Sequence, residues 1–144
     1  KSVSDIYDVR ASVEELIMVN IAQKGLEEAA CKNLHDINES INFSDPTESI
    51  SQRFIQINDI FHATLFKFCD NQYAKDIYQL YTNLLRALKM RYPVSDERIH
   101  TSYIEHNKII DAVFNQQIDE IRFLARAHAK GAKEEMMMNM GLEK

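Results

Sequence analysis

Apolar residues recur at intervals of three and four along almost the whole chain, the period of helices that bury one face. Ile6, Val9, Val13, Leu16, Ile17 and Ile21 form a first stripe, and Gly25 marks its break. A second helix follows with Leu26, Ala29, Ala30, Leu34, Ile37 and Ile41 on one face. Asp45-Pro46-Thr47-Glu48 combines a capping aspartate, a proline at the first helical position and a glutamate at the capping-box position. A third helix is therefore expected to begin near Pro46, with a short turn leading into a longer segment. Its inward positions are Phe54, Ile57, Phe61, Leu65 and Phe68, and its end lies near Asp70 and Asn71. The fourth stripe holds Tyr73, Ile77, Leu80, Tyr81, Leu84, Leu85 and Leu88, and Pro93 stops it. Ser95 or Asp96 caps a helix carrying Ile99, Tyr103, Ile109, Ile110 and Val113. The polar stretch Asn115-Gln116-Gln117 separates that helix from a last one with Ile121, Leu124 and Ala125.

Three glycines and two prolines in 144 residues leave few sharp turns. The expectation is an all-α fold, an antiparallel bundle of six or seven helices making one domain over residues 1–144. Hydrophobic residues at 45% and charged residues at 27% suit a packed core and exclude a disordered chain. Cys31 and Cys69 have no C-x-x-C spacing, so they read as reduced core residues, in neither a disulfide framework nor a thiolate zinc site. No apolar run approaches the roughly 20 residues that span a bilayer, and the N-terminus lacks the apolar stretch of a signal peptide. A cytoplasmic location with no membrane partner is expected. The net charge of −5 opposes binding to phosphate backbones, so this chain alone is not expected to grip DNA. The tail EEMMMNMGLEK reads as a frayed amphipathic helix end, with an adaptable methionine contact surface as the alternative.

Chemistry concentrates in three histidines. Asn58 and His62 lie four residues apart, so both leave one helix face one turn apart, a spacing that can chelate. His106 falls among Tyr103, Ile109, Ile110 and Val113, and His128 among Ile121, Leu124 and Ala125, both on apolar faces. Each alone reads as a hydrogen-bonded core residue. Three aimed inward from separate helices open a second reading, a metal site in the bundle. Ser102, one turn before His106, is placed to line the same cavity. Arg10 sits beside the apolar stripe and reads either as a cavity residue or as the buried partner of Glu14. His35 reads as a surface residue, and His100 as a solvated helix end. Asp59 lies about 100° around the helix from Asn58 and is expected to point away from the interior, as is Glu105.

Asn58-Asp59-Ile60-Phe61-His62 resembles the "[DN]-x-x-F-H" element of the FCD domain, the effector domain of FadR-type GntR regulators. Glu105-His106-Asn107-Lys108-Ile109 is similar to that family's "E-H-x-x-I" element, and His128 follows His106 by 22 residues, the family interval. Val9-Arg10-Ala11-Ser12-Val13-Glu14 is similar to its first-helix "R-x-x-[LV]-E" element. The resemblance implies a divalent metal held by His62, His106, His128 and Asn58, with Arg10 as a contact for a small organic acid. Zinc is expected before nickel or manganese, because imidazole-rich sites favour later first-row ions and availability selects zinc. The chain departs from the family in carrying Asn58 at the usual acidic ligand, which puts metal affinity and choice in question, and in replacing an Asp within Asn115-Gln116-Gln117.

The resemblance further implies a homodimer whose small-carboxylate effector controls DNA binding through an N-terminal winged-helix domain. That domain is absent from this chain, which reads as a truncated fragment. Two competing expectations stand beside this one. A metal-dependent hydrolase-like enzyme would use the same three ligands with open positions, and a structural helical adaptor would use the histidines only for packing.

Overall fold

Each apolar stripe becomes a helix in the structure, a computed structural model that describes residues 2–41, 43 and 49–141. The described residues form α1 (Ser2–Lys24), α2 (Glu28–Glu39), α3 (Ile50–Phe66), α4 (Gln72–Arg91), α5 (Asp96–Phe114) and α6 (Ile118–Asn139). α1 is the central member, packing against α6, α4, α5 and α3, while α2 bridges α5 and α3. Short connections fold α2 against α3, α3 against α4 and α5 against α6, whereas α1 finds its main partners in α6 and α4, which are distant in sequence. Ile17, Leu34, Phe61, Leu65, Ile109 and Ile121 meet in the main core. Among the described residues, no helix is long and apolar enough to cross a membrane.

Local chemistry sets most of the boundaries. Gly25 adopts φ +96° and its N–H bonds the Ile21 carbonyl at 3.0 Å, closing α1 with a conformation that other residues rarely adopt. Ser49, Asn71 and Ser95 cap α3, α4 and α5 by accepting from the backbone N–H of Gln52, Ala74 and Arg98. Such a cap contributes about 1 kcal/mol. Gln116 has φ +56°, and its amide donates to the Ala22 carbonyl at 2.7 Å, tying the α5–α6 turn to α1.

Four expectations need correction or fall outside the structure. The helix start at Asp45-Pro46-Thr47-Glu48 lies outside the described residues; the described helix is capped by Ser49. α3 ends at Phe66 rather than near Asp70, and Phe66 and Cys69 are buried there in place of Phe68. The methionine tail is not frayed up to Asn139: α6 continues through it, and buried Met136 packs beside Tyr7 and Leu85.

The fourth concerns α4, whose buried residues are Ala74, Tyr78 and Leu85. Tyr73, Ile77, Leu80 and Leu84 are exposed at 84, 41, 56 and 51%. This helix lies at the bundle edge, so α1 and α3 cover one face and the second apolar row finds no cover within the chain.

Candidate metal centre

One buried histidine arrives from each of α3, α5 and α6. His62 Nδ1 lies 2.8 Å from the Asn58 carbonyl oxygen. A carbonyl only accepts, so Nδ1 carries the proton and Nε2 is left with its lone pair. That Nε2 is buried without a hydrogen-bond partner and faces Glu14 Oε2 at 3.6 Å. His128 is oriented in the same way, because its Nδ1 donates to the Glu105 carboxylate. Its Nε2 faces inward, 3.3 Å from His106 Nε2. Phe61 stacks on the His106 ring with centroids 4.5 Å apart and fixes its plane.

Charge is arranged around these rings by burial and by Arg10. Burial drives the His62 and His106 pKa values down, that of His106 well below the ordinary range, so both rings are neutral and able to act as ligands. Burial also pushes the Glu14 carboxyl up, but the charge of Arg10 overcomes it and the group is held at about 2. Arg10 Nε stands 3.9 Å from Glu14 Oε1, and its Nη2 donates to the Tyr78 hydroxyl at 2.9 Å. Burial raises the Tyr78 pKa to about 12, which keeps that hydroxyl protonated.

These groups enclose a cavity of about 40 Å³, walled among others by Arg10, Glu14, Asn58, His62, Ser102 and His128. Such a space holds an ion with a few water-sized groups. His106 packs behind the wall, and the ring nitrogens of the three histidines do not together lie within 4.8 Å of one another. His62 Nε2 faces Glu14 instead.

Arg10 pairs with Glu14, as one of its readings expected, and it also lines the cavity. Asp59 points away and binds Arg86 at 2.8 Å, as its angular position requires. Glu105 does not enter the cavity wall either, but it grips His128 from outside, a role its sequence neighbourhood did not suggest. His100 is exposed near the start of α5, as expected, and it also stacks on Phe43 with centroids 3.8 Å apart. His35 is also not a free surface residue: both ring nitrogens are bonded to α5.

Lys89 and Arg98 enter the cavity wall unannounced. Arg98 Nη2 bonds Glu105 at 3.0 Å and the His128 carbonyl at 3.0 Å, while its Nε is buried without an acceptor, like Arg10 Nε. A signal for Arg98 existed, because it precedes Glu105 by seven residues, two turns on the same face. Gly131 makes room for it, since a Cβ there would stand 2.3 Å from Arg98 Nη1.

Two of the three histidines have the local features of metal-binding imidazoles. Two imidazoles are held as the tautomer that frees Nε2, one of those nitrogens is orphaned, and a carboxylate orients the other ring from behind. The chain is similar to the HTH-type transcriptional regulator YdhC of Bacillus subtilis (strain 168), 25% identical over 132 residues. The match covers 89% of this chain and 57% of that relative's length. Residues 5–131 match the FCD domain, and with most of its length accounted for in this way, the chain belongs to the FCD domain family.

Proposed function

We propose that this chain is the ligand-sensing domain of a transcription regulator, holding a divalent ion through His62, His106, His128 and the Asn58 side-chain oxygen. Zinc is the expected ion, ahead of nickel or manganese. The observation that carries this reading is the buried, partnerless Nε2 of His62, with its tautomer set by the Asn58 carbonyl. A buried polar atom without a partner is rare and costs about 1–3 kcal/mol, which an ion would offset.

A small organic carboxylate is the effector this cavity favours. Arg10 and Glu14 cancel each other's charge, and the remaining ligands are neutral, so the ion's double charge would be left uncompensated in a buried site. The Nε–H groups of Arg10 and Arg98 lack acceptors and line the same space, with Ser102 between α3 and α6 as a further polar contact. A cavity of about 40 Å³ is small for an organic acid, so binding requires side chains such as Arg98 to move. Movement of α6 relative to α5 would then be the signal.

The signal would reach DNA through a homodimer. Tyr73, Ile77, Leu80 and Leu84 recur at offsets of four, three and four, the seam of a packed helix pair. Val9 and Leu16 of the neighbouring α1, seven residues apart, are exposed as well. A second copy would bury this face, and two-fold pairing matches the paired half-sites that dimeric regulators read. With a net charge of −5, DNA contact belongs to a winged-helix domain outside these residues, and a cytoplasmic regulator is the expected setting.

Elemental analysis with native mass spectrometry tests the reading directly. The expected result is one divalent ion per chain that depends on these residues and is lost, together with thermal stability, in His106→Ala and His128→Ala. An ion present at a hundred times its Kd adds about 2.7 kcal/mol. Unchanged metal content in both variants would remove the assignment.

A further inference from the structure

A second cluster of ligand-type side chains lies outside the central cavity, on the face where α2 meets α5. Cys31 and His35 are four residues apart on α2, so they share a face, and Asp111 comes from α5. Cys31 Sγ, a ring nitrogen of His35 and a carboxylate oxygen of Asp111 all lie within 4.8 Å of one another. His35 Nε2 is 2.7 Å from Asp111 Oδ1, and its Nδ1 is 2.8 Å from Asn107 Oδ1.

The hydrogen bonds around His35 decide which nitrogen is free. Asn107 Oδ1 also accepts from Asn38 Nδ2 at 3.0 Å, so the amide is oriented with its oxygen toward the ring. His35 Nδ1 must therefore carry a proton, and Nε2 of the neutral ring presents a lone pair to a carboxylate. Two electron-pair donors face each other at that distance only when a cation is shared between them, either a proton on the ring or a metal ion. The outer hydrogen bond on Nδ1 is the support that metal-binding imidazoles commonly have. The Cys31 thiol adds the feature that a simple ion pair does not explain. Burial, Asp111 and Glu28 all raise its pKa, so an added positive charge would be welcome beside it.

We propose that Cys31, His35 and Asp111 form a second divalent-ion site, chemically distinct from the all-nitrogen-and-oxygen centre and open to solvent through Asp111. Its sulfur, nitrogen and oxygen donors suit a tetrahedral zinc-type ion with water as the fourth ligand. With metal–ligand bonds of about 2.0–2.3 Å, tetrahedral neighbours stand roughly 3.3–3.6 Å apart. The His35–Asp111 pair would open by less than about 1 Å, and the remaining separations, all within 4.8 Å, would tighten by at most about 1.5 Å. On binding, the Cys31 S–H gives its proton to solvent, as does His35 Nε2 if it carries one, and the ion takes their place. The occupied site would clamp α2 to α5 independently of the effector cavity.

Cobalt(II) is the probe, because a thiolate ligand produces a charge-transfer absorption that histidine, amide and carboxylate ligands do not. The reduced 144-residue chain, titrated with cobalt(II), should develop that absorption and saturate it at one equivalent attributable to sulfur. The band should persist in His106→Ala and in Cys69→Ser, and disappear in Cys31→Ser and in His35→Gln, with helical circular dichroism reporting that each variant is folded. Zinc should displace it. A wild-type chain with no thiolate–cobalt band overturns the proposal, as does a band that survives Cys31→Ser or is lost in Cys69→Ser.

Discussion

His106 and His128 face each other with their Nε2 atoms 3.3 Å apart across the α5–α6 contact, and Glu105 holds His128 from its far side. Neutral imidazoles at that distance share one proton between two lone pairs, so a divalent ion can replace the proton without rearranging either helix. Burial and the mutual repulsion of the rings disfavour a second proton.

Glu105→Gln tests the outer support. The amide still accepts from His128 Nδ1 but removes the negative charge that makes the ring a better donor. Metal affinity should fall about 10–100-fold. Chelator competition measures it, and an affinity within error of wild type would show that Glu105 serves Arg98 alone.

Gly131→Ala separates effector from metal. The new Cβ would meet Arg98 Nη1 at 2.3 Å, forcing the guanidinium away from Glu105 and the His128 carbonyl. Alanine gains about 1 kcal/mol of helix propensity, which offsets part of those lost bonds. Carboxylate affinity should drop several-fold while metal content stays at the wild-type level. Calorimetry of both ligands would check this.

Lys89 makes effector binding pH-dependent. Burial, then Arg10, lowers its pKa from 10.5 to about 7. Between those values the unfolded chain binds the proton and the folded chain does not, so this group's contribution makes the free protein more stable as pH rises through that window. A carboxylate in the cavity favours the charged form, and its affinity should weaken as pH rises above about 7. Lys89→Met should bind more weakly at pH near 6 and lose that dependence. A wild-type affinity that is flat across this range counts against Lys89 as a cavity group.

Leu80→Lys should convert the dimer to monomer. Leu80 sits in the exposed row with Ile77 and Leu84, half exposed in the single chain, so its replacement costs the monomer little. Burying a lysine at a two-fold seam places the charge twice in one interface. Light scattering should change from about twice the 16.8 kDa chain mass to the chain mass itself, with helicity unchanged. A wild-type chain that is already monomeric at micromolar concentration would overturn the interface.

Helix type and order were legible because local repeats of apolar side chains, Gly25, Ser95 and Pro93 act within a few residues. Which of two apolar rows turns inward on α4 was not, because Tyr78 and Tyr73 differ in burial only through what packs on the helix from α1 and α3. The sequence by itself determined that Asn58, His62, His106 and His128 sit on inward faces, since helical phase is a local property. Only the tertiary structure decided that His128 meets His106, that Glu14 rather than another ligand faces His62, and that Arg98 reaches the cavity over Gly131. Those contacts depend on the offset and rotation of whole helices, set by the shapes packed in the core rather than by any spacing along the chain.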